Sequence, residues 1–151
     1  MSAKNFEELE IWKLARSLTG RIYQLTGTGK FTRDYGLCSQ IQRASVSVMS
    51  NIAEGFERGG NREFSQFLAI AKGSCGEVRC QLYVALDQGY LDHRAAEPLI
   101  DQHKKLSIMI YNFMEHLKGS AFKGHKYKPP KPDPKMEEFD ALLQEHLKGK
   151  R

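Results

Sequence analysis

Glutamate followed by histidine three residues later, on two facing helices, would build a carboxylate-bridged metal centre. No glutamate of this 151-residue chain has a histidine at that spacing. Nor does the sequence contain His-Glu-x-x-His, a nucleophile elbow or Cys-x-x-Cys. TGTGKFT at 26–32 resembles a phosphate loop only faintly. It lacks the first glycine at the right distance and a Ser or Thr directly after Lys30, and no strand precedes it, so it reads as an interhelical loop. Cys38, Cys75 and Cys80 form an odd set without metal-ligand spacing; Cys38 and Cys75 lie on apolar stripes, as small buried hydrophobes do. His103 lies on an apolar stripe with no second ligand recurring beside it. Ser45 and Ser47 have no histidine nearby and suit helix packing instead. These patterns predict no enzyme, no cofactor and no metal.

The polar residues make more sense on a packing surface. Ser39–Arg58 reads SQIQRASVSVMSNIAEGFER, and as a helix it gathers Cys38, Ile41, Ser45, Val48, Met49, Ile52 and Phe56 on one stripe. The opposite side carries Arg43, Ser47, Ser50, Asn51 and Glu54. Such a side is either an ordinary wet face or a second packing face against another helix or subunit.

Periodicity predicts four long helices. The first begins near Glu7 with Asn5 as cap and a stripe of Leu9, Trp12, Leu18, Ile22 and Leu25, flanked by Ile11 and Leu14. The second runs from about Arg33 to Phe56, capped by Thr32, and the third over about 62–88, capped by Asn61. In the third, Phe64, Leu68, Ala71, Cys75, Val78, Leu82 and Ala85 recur at steps of four and three, a packing seam. Its other side is small: Ser65, Ala69, Gly73, Gly76 and Cys80, flanked by Lys72, Arg79 and Tyr83. Two interior glycines cost about 1 kcal/mol each relative to alanine, a loss offset only if something approaches the backbone closely. Asp92 caps the fourth helix, which runs to about Lys118 with Leu99, His103, Leu106, Ile110, Phe113 and Leu117 in line. The fold class is therefore all-α, an antiparallel up-and-down four-helix bundle over 1–119.

Residues 120–135 hold four prolines and five lysines and predict an extended basic linker. Residues 136–151 come next as a short amphipathic helix with Met136, Phe139, Leu142, Leu143 and Leu147 to bury. Alone it is too short to be stable in water, so it must dock on its own bundle, a neighbour or a partner.

The net charge is +5, with 15 Lys/Arg against 13 Asp/Glu over 1–119 and 8 against 5 over 120–151. A mild basic excess fits nucleic acid or an acidic partner. No apolar run approaches the ~20 residues of a membrane span, and the N-terminus is acidic where a signal peptide is apolar, which predicts a cytoplasmic protein without membrane contact.

In RASVSVMSNIAEG at 43–55, EFSQFLAIAKGS at 63–74 and QLYVALDQGYL at 81–91, the chain resembles the four-helix-bundle proteins first noticed as products of 23S ribosomal RNA intervening sequences. The resemblance covers about residues 5–118. It implies a ring-like homopentamer and kinship with the accessory variability determinant of diversity-generating retroelements, which binds a reverse transcriptase and nucleic acid. The interface residues would then be Arg43, Ser47, Asn51 and Glu54 on the second helix and Ser65, Ala69, Gly73 and Gly76 on the third. Phosphate contacts would come from Arg58, Arg62, Lys72, Arg79, Lys123, Lys126, Lys128 and Lys131, without sequence preference. The accessory proteins are more basic than residues 1–119 here, and the linker and final helix extend beyond the shared bundle. A scaffold that binds a protein partner through its C-terminal helix, without nucleic acid, is the alternative.

Overall fold

In the computed structural model, residues 3–127 are described, together with 141, 142 and 145. Four antiparallel helices carry the fold: α1 (Glu10–Thr26), α2 (Tyr35–Glu57), α3 (Asn61–Asp87) and α4 (His93–Gly119). Consecutive helices pack side by side and α4 closes back on α1. No strand occurs among the described residues. The expected bundle is the observed one.

The α3 seam is the centre of the core. Leu68, Ala71, Cys75, Val78, Leu82 and Ala85 have no solvent exposure, and Phe64 has little. Facing it are Ile41, Val48 and Ile52 from α2 and Leu99, Leu106 and Ile110 from α4. Gly55 lets α2 and α3 cross closely: a Cβ there would stand 2.8 Å from both Phe64 Cδ2 and Phe67 Cβ.

The α1 stripe is rotated from the expected one. Ile11, Ala15, Leu18, Thr19, Ile22 and Thr26 are buried, while Trp12, Leu14 and Leu25 are half-buried at the margin. Thr19 and Thr26 can face inward because each Oγ1 donates to a carbonyl four residues back, Ala15 and Ile22, at 2.8 and 2.9 Å. Ser45 Oγ donates to Thr19 Oγ1 at 2.9 Å and Gln42 Nε2 to Thr26 Oγ1 at 2.8 Å, so α1 and α2 meet through a satisfied polar seam.

Three helix starts differ from expectation. Phe6–Glu8 form a short 3₁₀ turn, in which Phe6 packs edge-on against Trp12 at 5.1 Å, and α1 starts only at Glu10. Phe31–Arg33 form another, and Asp34, not Thr32, caps α2 by accepting from Leu37 N–H at 3.0 Å. Asp34 also accepts from Tyr90 Oη at 3.1 Å, pinning the α3–α4 turn. Gly60 precedes α3, so Asn61 is its first residue rather than its cap. Asp92 does cap α4, accepting from Ala95 N–H at 2.8 Å.

Asn61 has another task. Its backbone N–H donates to Lys123 O at 2.9 Å and its Nδ2 to Phe122 O at 2.5 Å. Lys126 N–H donates to Gly59 O at 3.0 Å. Residues 120–127, expected to begin an extended linker, instead fold back over the α2–α3 turn. Gly124 makes this approach possible. Its φ is +128°, and any Cβ would collide with Gly59 O and Gly60 Cα. The rest of the expected linker and, apart from 141, 142 and 145, the expected C-terminal helix lie outside the described residues.

Candidate functional site

Of the eight cations expected to hold phosphates, the six described do not form one patch. Arg58 lies at the end of α2 and Arg62 in the first turn of α3, and the returning segment brings Lys123 and Lys126 to the same turn. Lys72 and Arg79 lie farther along α3, ten and seventeen residues from Arg62, about 15 and 25 Å at 1.5 Å per residue. Lys128 and Lys131 lie outside the described residues.

Two cations of the cluster are already engaged. Arg58 Nη2 pairs with Glu54 Oε1 at 2.8 Å, and its guanidinium lies over the Phe67 ring at 5.3 Å. Lys126 Nζ pairs with Glu63 Oε2 at 2.6 Å. The hydrogen bond to Lys126 is the main reason that the Glu63 carboxyl lies below its usual range. The same two pairs raise both bases. Arg62, Lys72 and Lys123 are exposed and make no ion pair among the described residues. Arg79 is half-buried, its Nε shut from solvent without an acceptor.

The expected interface residues divide likewise. Ser47 and Asn51 are half-buried and bonded within the protomer: Ser47 Oγ lies 2.9 Å from Ser74 Oγ of α3, and Asn51 Nδ2 donates to Ser47 O at 2.8 Å. Ser47 thus meets α3, whereas Asn51 bonds back to Ser47 within α2. Arg43 and Glu54 are exposed, Glu54 in its pair with Arg58. On α3, Ala69 and Gly73 are exposed and Ser65 and Gly76 half-buried. Nothing lies within 4 Å of a Cβ built at Gly73 or Gly76. Ala69, Gly73, Gly76, Cys80 and Tyr83 recur at steps of four and three, a second seam that no other helix covers at its glycines among the described residues.

His103 and Cys75 are interior, Cys38 is half-buried and Cys80 is exposed. His103 is 1% exposed, and its Nδ1 lies 2.8 Å from Leu99 O. Burial pushes its pKa below the ordinary value, the Leu99 hydrogen bond opposes this, and the Arg79 charge adds to the depression. Between an unfolded value of about 6.5 and the lower folded value, the unfolded chain binds more protons. Stability should therefore be complete above about pH 6.5 and decline below it. Urea midpoints from pH 5 to 8 should show this slope, and His103→Gln should flatten it. Burial also pushes the Cys75 thiol up to about 12. Among the described residues no three His, Cys, Asp or Glu side chains gather where a metal could bind.

These helices and their seams run through a recognisable stretch. Residues 7–112 match the family described as 23S rRNA-intervening sequence protein. The chain belongs to that family. A solved structure from Bacteroides thetaiotaomicron VPI-5482, of a protein with unknown function from the S23 ribosomal protein family, is similar in fold. Its TM-score is 0.64 at 17% identity, over 70% of this chain and 98% of that one. Curated proteins offer no match. No helix among the described residues is long and apolar enough to cross a membrane.

Sequence reasoning missed the returning segment. Gly59-Gly60 and Gly124 lie more than sixty residues apart, and nothing local says that they touch.

Proposed function

We propose that this chain is a non-enzymatic accessory protein that assembles with copies of itself into a cytoplasmic homopentamer and holds nucleic acid through phosphate contacts. A reverse transcriptase of a diversity-generating retroelement is the protein partner that the family resemblance suggests. The observation that carries the assembly is the second seam of α3. Ala69 and Gly73 are exposed, Gly76 is half-buried with open space at its Cβ position, and Tyr83 beside them is 52% exposed. A helix keeps two glycines there at a propensity cost when another backbone packs onto them. In a ring this seam meets a different surface on the next copy, because cyclic contacts are heterologous. The exposed side of α2 around Arg43 supplies that surface.

The nucleic-acid side of the proposal rests on Arg62, Lys72 and Lys123, repeated on every copy. Affinity for mixed single-stranded RNA and DNA should fall by about three-hundredfold or more between 50 and 200 mM salt if six or more phosphates are held. Fluorescence anisotropy with labelled oligonucleotides measures the slope, and a flat dependence contradicts phosphate contacts. The pairing of Arg58 with Glu54 and Lys126 with Glu63 favours the second reading, a protein scaffold. Its contacts through the apolar C-terminal residues would survive high salt.

A further inference from the structure

A cavity of about 940 Å³ opens at the end of the bundle where α1 and α3 begin and α2 and α4 end. Its walls include Leu9, Ile11, Phe56, Phe64, Met109 and Phe113. Phe56, Met109 and Phe113 are only half-buried, so apolar surface is left for an occupant. Glu8 and Glu10 line it from the N-terminal side, and His116 and His125 from the C-terminal side. The chain passes this wall at His125 and leaves the described fold at Tyr127.

The C-terminal sequence beyond Tyr127 carries an apolar helical pattern. Met136, Phe139, Leu143 and Leu147 fall on one face at helical spacing. Leu142, which is described, is helical and 60% exposed. The segment is also polarised: Glu137, Glu138 and Asp140 come first, and Lys148, Lys150 and Arg151 last. Its acidic end suits the histidine side of the cavity, and its basic end suits Glu8 and Glu10.

The linker decides whose cavity is filled. Four prolines within 129–134 favour a stiff polyproline II spacer, and at ~3.1 Å per residue the eight residues 128–135 span about 25 Å. A stiff spacer that starts on the cavity wall carries its helix away from that cavity. The geometry points to the C-terminal helix of one copy seating its Met136–Phe139–Leu143 face in the end cavity of a second copy. This rests on the self-assembly proposed above, because a second copy must be present.

Photo-cross-linking of the full chain tests it. Phe139→p-benzoylphenylalanine protein, mixed from ¹⁴N- and ¹⁵N-labelled preparations, is irradiated and the linked peptides are mapped by mass. The expected result is a link to Met109, Phe113 or their cavity neighbours, joining labelled to unlabelled copies. Links within one copy, links to another surface or no links overturn the inference. With the photoprobe placed at Met109 instead, Phe139→Asp with Leu143→Asp should reduce cross-link yield at least tenfold while leaving the helical circular dichroism unchanged. Unchanged yield also overturns it. Light scattering of the same samples separates the two failures. A multi-protomer particle without cavity links refutes the tail exchange alone, whereas a monomer refutes the assembly too.

Discussion

Leu68→Ala should lower the stability of the bundle by about 2–5 kcal/mol. Leu68 has no exposure and sits mid-helix in α3, which packs against both α2 and α4. Neighbours held by two helices cannot collapse easily into the space that is left, so a cavity term adds to the lost transfer energy. Chemical denaturation monitored by circular dichroism measures the loss, and a change below about 1 kcal/mol would show that the seam is not the core. Gly55→Ala makes a useful contrast. Helix propensity alone predicts a gain of about 1 kcal/mol. The 2.8 Å approach to Phe67 Cβ and Phe64 Cδ2 turns that gain into an overpacking loss of about 1–3 kcal/mol.

The second large effect concerns assembly. If the proposed oligomer forms through this seam, Gly73→Gln with Gly76→Gln should convert it to monomers without unfolding the protomer. Among the described residues no atom lies within 4 Å of either Cβ position, so both side chains start into open space. Each replacement should in fact stabilise the isolated helix by several tenths of a kcal/mol or more. Glutamine adds no charge, so phosphate contacts keep their electrostatics. Light scattering should report a protomer mass while the helical signal stays intact. An oligomer that survives both substitutions places the subunit contacts elsewhere. A protein that unfolds would mean instead that the glycines serve the protomer.

Much of the fold was legible because it is written in local periodicity. Every residue of the α3 seam read from the sequence is buried, from Phe64 to Ala85. The rotation of α1 was less legible. Threonine counts as polar in a pattern, yet Thr19 and Thr26 satisfy their hydroxyls on carbonyls one turn back and pass into the interior. The α2 cap was misplaced by two residues because several polar residues stand together there, Thr32 and Asp34 among them. The candidate site was read least well. The Arg58–Glu54 pair is an i, i+4 spacing that the sequence displays. The Lys126–Glu63 pair joins residues 63 positions apart, and no local pattern announces it. A cation judged by composition alone therefore looked more available than it is.

Self-assembly is tested most directly by the light-scattering mass of the purified 151-residue chain at low and high salt. The protomer is 17.2 kDa, and a particle of five protomers is expected in both conditions, held by apolar and backbone packing rather than charge. A monomer at either salt would contradict it.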